Sequence, residues 1–180
     1  MADFVHLHLH TEYSLLDGAT RIREIADAAL ADGQTAVAIT DHGVMYGAVE
    51  FYTALREKGV KPIIGCEVYV AARSRFLKEG KQDSSGYHLI LLCKNETGYR
   101  NLCYMVSMSF IEGFYMKPRI DMELLRERHE GLIALSGCLA GKIPQMILSG
   151  AMAEAEKATL EMKEIFGEDF YLEVQNHGLD

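Results

Sequence analysis

With 180 residues, 49% of them hydrophobic and 24% charged, the chain has the makeup of one globular domain or a large piece of one, and such a domain buries roughly 70% of its unfolded surface. The 18 Lys and Arg against 26 Asp and Glu give a formal charge of -8, which excludes a whole-surface, charge-driven grip on duplex DNA or an anionic membrane and leaves only local contact with nucleic acid. No apolar run is long enough to span a bilayer, and Met1-Ala2-Asp3-Phe4 lacks the basic and apolar regions of a secretion signal, so the expectation is a soluble, cytoplasmic protein without a membrane partner.

In chain order, β-branched and apolar runs predict six strands: Phe4 to Leu9, Ala36 to Thr40, Ile63 to Val70, His88 to Cys93, Leu132 to Ser136 and Phe170 to Val174. Helical patterns lie between them. Ile22 to Ala31 carries Ile22, Ile25, Ala26, Ala29 and Leu30 on one face and stops at Gly33; Gly47 to Lys58 is closed by Gly59 and Pro62. Thr97 to Ile111, Met122 to His129 and Met152 to Ile165 complete the set, the last with Glu154, Glu156, Glu161 and Glu164 facing solvent. This β-then-α order predicts an α/β fold with a mostly parallel sheet and helices outside, either open or closed into a barrel.

Two loops stand out by composition. Arg73 to Gly86 bears Arg73, Arg75, Lys78 and Lys81 against Glu79 and Asp83, and reads as a solvated excursion, with contact to backbone phosphates as the alternative. Gly113 to Asp121 mixes aromatic and basic residues ahead of a helix that Asp121 is suited to cap. Cys66, Cys93, Cys103 and Cys138 show no CxxC spacing and sit mostly in apolar runs, which reads as reduced thiols and not a disulfide framework. The chain stops at Asp180 just after a strand pattern, so the fold is expected to be incomplete as it stands.

The most informative stretch is Val5-His6-Leu7-His8-Leu9-His10. The two-residue period of a strand puts its three imidazoles on one face and Val5, Leu7 and Leu9 on the other. Three alternating histidines on a buried strand are costly to desolvate unless metal or hydrogen-bond partners occupy their nitrogens; the alternative is that one or two face solvent at a sheet edge. Asp17 sits in Asp-Gly, by itself a turn signal, but close behind His10. Thr40-Asp41-His42-Gly43 follows an apolar strand and precedes a helix, where βα units present reactive groups; Asp41 fits a loop hydrogen bond as well as it fits a ligand.

Glu67 lies in Ile63-Ile64-Gly65-Cys66-Glu67-Val68-Tyr69-Val70, apolar enough to be a core strand. A carboxylate buried there without a cation costs on the order of several kcal/mol or becomes protonated. Cys138 ends one apolar strand and His88 borders another, and each by itself reads as structural; His88, at the start of its strand, is the ligand the pattern supports least. An imidazole-rich set with carboxylates and at most one thiolate suits zinc, manganese or iron and is unlike calcium sites. It offers more ligands than one tetrahedral ion uses, and clusters of two or three such ions commonly hydrolyse phosphoesters. The GxxxxGK[ST], GxGxxG and GxSxG signatures are missing.

HLHTEYSLLDG, AITDHGVMYGAVEFY, PIIGCEVYVA, YHLILLCKNETGYRNL, GFYMKPRID and LSGCLAGKIP together make the chain, from about Phe4 to its end, resemble the PHP (polymerase and histidinol phosphatase) domain at the N-terminus of bacterial replicative DNA polymerase III alpha subunits. AVEFY, NETGYRNL and FYMKPRID point to that branch, whereas HxH and TDHG fit any member. The resemblance implies a PHP-type distorted seven-stranded β/α barrel over residues 1–180, C-terminally truncated. It implies a trinuclear centre in which His8 and His10 hold a first ion, Glu67 bridges, His88 and Cys138 hold a second, and Asp17 with His42 hold a third. His6 lies outside the pair, and Asp41 is a neighbour of the ligands. Glu67, Asp17 and His42 would act at the reacting phosphate.

The family's final Asp-x-His does not occur after Cys138, since Asn176-His177 does not match it, so two ligands are expected to be missing. The resemblance implies a parent DNA-directed DNA polymerase, with two or three divalent ions, a DNA 3′ end and other polymerase III holoenzyme subunits as cofactors and partners. Within it this segment would act as a metal-dependent 3′-5′ exonuclease. The alternatives are a metal-stabilised docking module without catalysis and a free-standing PHP phosphatase.

Overall fold

The computed structural model describes residues 4–176 and 178. Its helices form where buried positions recur at helical spacing. In α1 (Ile22–Ala31) these are Ile22, Ile25, Ala26 and Ala29, and in α2 (Ala48–Glu57) they are Ala48, Phe51 and Leu55. Asn95 caps α4 (Glu96–Ile111) by accepting from the Gly98 amide, and Asp121 caps α5 (Met122–Arg128) through the Leu124 amide, as its position predicts. A further long helix, α7, spans Met152–Phe166. These helix ends fall within a residue of expectation.

Among the described residues the strands are β1 (Ala36–Ile39), β2 (Lys61–Ala71), β3 (Gly86–Cys93), β4 (Arg119–Ile120), β5 (Leu132–Leu135) and β6 (Phe170–Tyr171), in one sheet of order β1-β2-β3-β5-β6, with β4 beside β2. The sheet is mixed, which corrects the mostly parallel expectation. β3 runs antiparallel to both β2 and β5, because the connection from β2 contains only the short helix α3 (Gly80–Asp83) and so returns without a crossover. The other pairs, β1 with β2, β2 with β4 and β5 with β6, are parallel.

Helices cover one face of the sheet. Val68, Val70, Leu89, Leu91 and Ala134 pack there with Leu102, Met105, Leu125, Ala158 and Phe166. On the opposite face Ala38 of β1, Ile90 and Leu92 of β3 and Leu135 of β5 join in a single cluster, with Ile63 of β2 and Ile133 of β5 packed against it. No seventh strand closes the sheet by a ladder among the described residues.

The segment expected as the first strand is extended but irregular. The His6 carbonyl accepts from the Ala38 amide at 2.8 Å and the Leu9 carbonyl from the Thr40 amide at 2.9 Å. Three residue steps from His6 to Leu9 thus match two from Ala38 to Thr40, and the chain bends at His8. The strict alternation is lost: Leu7 is 38% exposed, and His6 is exposed against the edge of the Phe4 ring.

Three elements carry no clear sequence pattern: α3, β4 and α6 (Lys142–Leu148). The two polar loops prove to be one unit. Arg119 is fully buried and donates to the carbonyls of Gly113 (3.0 Å), Asp83 (2.7 Å), Arg75 (3.1 Å) and Leu77 (3.0 Å). Arg75 pairs with Asp121 at 2.9 Å and Glu112 at 2.7 Å, and Arg73 with Asp83 at 2.5 Å. The excursion over 73–86 is therefore pinned, and both its arginines are neutralised within the domain.

Candidate metal centre

Glu67 is the hub. It is fully buried, on the same face of β2 as Tyr69. The backbone beyond β1 continues beside it, with the Glu67 amide donating to the Asp41 carbonyl at 3.1 Å and the Gly43 amide to the Glu67 carbonyl at 2.8 Å. This sets His42 directly across from Glu67. On the other side His88 stands opposite Tyr69 in the β2–β3 register, with its Nδ1 3.0 Å from Glu67 Oε1. Because β3 is antiparallel, its start lies at the same end of the sheet as the carboxyl ends of β1 and β5, which resolves the position that made His88 the weakest candidate.

The remaining candidates converge from loops. His8 Nε2 lies 3.2 Å from Glu67 Oε1 and 3.1 Å from His10 Nε2; the His10 ring stacks on His42 with centroids 4.0 Å apart. Asp17 Oδ2 is 3.0 Å from His42 Nε2, while His42 Nδ1 faces Glu67 Oε2. Cys138 Sγ is 3.8 Å from His88 Nδ1. The turn that delivers it requires Gly137, at φ 79°, where a Cβ would stand 2.8 Å from the His88 carbonyl oxygen.

The seven residues His8, His10, Asp17, His42, Glu67, His88 and Cys138 thus gather at one end of the sheet, with two tight triads, His8–His10–Glu67 and His42–Glu67–His88, sharing Glu67. His6 stays outside. The Asp41 carboxylate is consumed by the Thr11 amide (2.6 Å) and the Thr11 (2.7 Å) and Ser14 (2.7 Å) hydroxyls, so it shapes the loop that carries Asp17 and is not offered to the site. His177 lies outside the described residues.

Sequence reasoning missed Glu173, whose Oε1 lies 2.7 Å from His8 Nδ1. Its neighbours Leu172 and Val174 lend it no ligand-like spacing, and only its carboxylate in a strand-like run hinted at a role.

Burial pushes Glu67 upward, but the close imidazoles of His42, His8 and His88 outweigh it and hold the carboxyl far below its ordinary range. Burial lowers His8, and Glu173 and Glu67 more than offset it, raising His8 to about 9. For His88 burial is again outweighed, by Cys138 and Glu67, giving about 9. His88 in turn draws the Cys138 thiol below its usual value against the effect of burial. Burial and the neighbouring His42 keep His10 below its ordinary value.

Whether these groups suit a metal is tested by their hydrogen bonding. Both Glu67 oxygens and His42 Nδ1 are buried with no aligned hydrogen-bond partner, although imidazole nitrogens surround the carboxylate. Buried polar atoms left in that state are rare in folded proteins. Imidazole nitrogens that converge on a shared carboxylate without an aligned hydrogen bond to it match what a divalent cation requires. The donor set fits.

The model of the PHP domain matches residues 6–177. DNA polymerase III subunit alpha of Borreliella burgdorferi is 50% identical over 98% of this chain and 15% of its own length, and that of Thermus aquaticus 53% identical over 98% and 15%. The chain therefore spans about 15% of the length of these relatives. An amidohydrolase structure from Chromobacterium violaceum superposes with a TM-score of 0.49 at 14% identity, over 93% of this chain and 84% of that one, too distant to bear on function.

Proposed function

The chain belongs to the PHP domain family, and on that premise we propose that it forms the divalent-metal centre of a phosphodiester-cleaving module within a DNA polymerase III alpha subunit. The observation that carries this reading is the buried Glu67 carboxylate, ringed by His8, His42 and His88 yet without an aligned hydrogen bond. His8, His10 and Glu67 would hold a first ion, Glu67, His88 and Cys138 a second, and Asp17 with His42 a third. The imidazole-rich donors with one thiolate favour zinc, manganese or iron. Bound there, such ions would polarise a phosphodiester and stabilise the charge that develops on its oxygens.

The chain's own residues do the rest. Glu67 offsets the positive charge from inside the sheet, and His10, kept below its ordinary pKa, retains a neutral ring for coordination. Asp17, with its side chain 62% exposed, stands at the solvent side, where a substrate phosphate would enter. The substrate would be a DNA 3′ end delivered by the parent polymerase, with the other holoenzyme subunits as partners in the cytoplasm. Among the described residues no helix is long and apolar enough to cross a membrane.

The deciding experiment is elemental analysis of the purified chain and of a variant with His8, His10 and Glu67 changed to Ala, followed by assay for release of 3′ nucleotides. Two or more bound ions, lost in the variant, with metal-dependent nucleotide release, are expected. Absence of bound metal in the parent chain would overturn the reading. Metal that raises thermal stability without any nucleotide release would leave a structural docking module instead.

A further inference from the structure

The two ring nitrogens of His8 face different surroundings. Nε2 points into the cluster, 3.1 Å from His10 Nε2 and 3.2 Å from Glu67 Oε1. Nδ1 points away from it and meets Glu173 Oε1 at 2.7 Å. A carboxylate oxygen accepts hydrogen bonds, so Nδ1, aligned on Glu173, carries a proton; Nε2 is not aligned on Glu67 Oε1, and a cation bound there would take the place of a second proton on the ring.

Glu173 is held for this contact. Its amide donates to Ser136 Oγ at 2.9 Å, and the Ser136 amide donates to the Tyr171 carbonyl at 3.0 Å, which ties the chain after β6 to the end of β5. The Glu173 side chain is 10% exposed, and its Oε2 is buried without a hydrogen-bond partner. Gln175 Nε2 lies 2.6 Å from Glu173 Oε1 and 3.2 Å from His8 Nδ1. The shorter contact takes its proton and steadies the carboxylate.

We propose that Glu173 is a positioning residue that keeps a proton on His8 Nδ1, locks the ring in place and so presents His8 Nε2 to the metal. This rests on the metal reading above and adds to it a residue outside the seven candidates. A carboxylate behind a ligating histidine fixes its tautomer and raises its basicity, and loss of such a partner typically weakens metal binding by about 10–100-fold.

The test uses the 180-residue chain labelled with ¹⁵N-histidine, zinc as probe, and the variants Glu173→Ala and Glu173→Gln. Competition against a chromophoric chelator should give a zinc affinity about 10–100-fold lower for Glu173→Ala. Glu173→Gln, whose amide oxygen still accepts, should fall between and guards against a folding defect in the alanine variant. Two-bond ¹H–¹⁵N spectra of the zinc-loaded chain should show His8 protonated on Nδ1, with that proton exchanging rapidly in Glu173→Ala. Equal zinc affinity in all three proteins, or a His8 proton on Nε2, would overturn the inference while the metal reading stands. A parent chain that takes up no zinc would remove both.

Discussion

His88 Nδ1 lies 3.0 Å from Glu67 Oε1, although one residue stands near the start of its strand and the other in the middle of its own. The antiparallel register of β2 and β3 makes this contact, and the parallel continuation beyond β1 brings His42 to the other side of the same carboxylate. Glu67 is thereby shared by both triads.

That sharing predicts unequal losses. Glu67→Gln should abolish metal uptake by both triads, whereas His88→Ala should spare the His8–His10–Glu67 group. Elemental analysis of the two variants beside the parent checks this; a Glu67→Gln protein with parental metal content would refute a bridging role.

Metal should also stabilise the fold, since the donors come from the N-terminal segment, the loop after β1, β2, β3 and the loop after β5. With free metal at about 100 times its dissociation constant, the stabilisation is roughly 2.7 kcal/mol, or a rise in Tm of about 5–10 °C for a chain of this size. Scanning calorimetry with and without zinc measures it. An unchanged Tm in protein that demonstrably carries zinc would count against the converging donor set.

Arg119 offers a test away from the centre. Arg119→Met keeps much of the side chain's bulk but strips the hydrogen bonds from the carbonyls of Gly113, Asp83, Arg75 and Leu77. A buried group left unsatisfied costs about 1–3 kcal/mol, so a loss of about 3 kcal/mol or more is expected by urea denaturation. A change within about 0.5 kcal/mol, as for a surface site, would show that the pinned excursion contributes little to stability.

Asp83 supplies a pH dependence. Arg73 holds its carboxyl below the usual value, with the Glu79 amide assisting against burial. A carboxyl depressed in the folded state adds stability that is present above its unfolded value, near 3.9, and is lost as pH falls through the folded value. Asp83→Asn should therefore flatten the fall in stability below about pH 4 relative to the parent. Denaturant unfolding across the acid range would reveal it, and parallel curves for the two proteins would contradict it.

The sequence by itself determined the α/β class and nearly every long helix, because periodicity is a local property, while the set of seven candidate ligands came from the resemblance of its motifs to a known family. A carboxylate in an apolar strand and histidines two apart are visible without any partner. It also marked His88 as doubtful and gave Asp41 two readings, since strand direction and hydrogen-bond partners are not local. Tertiary structure decided both: antiparallel β3 carries His88 to the site, and Thr11 and Ser14 absorb Asp41. It also left His6 exposed through the bend at His8, in line with the alternative that one of the three histidines faces solvent. Glu173 meets His8 across a sequence separation of 165 residues, so no spacing rule could pair them. Packing the end of β6 beside the N-terminal segment costs chain entropy that only the assembled sheet repays, and that is why the contact exists in the fold and leaves no trace in the pattern.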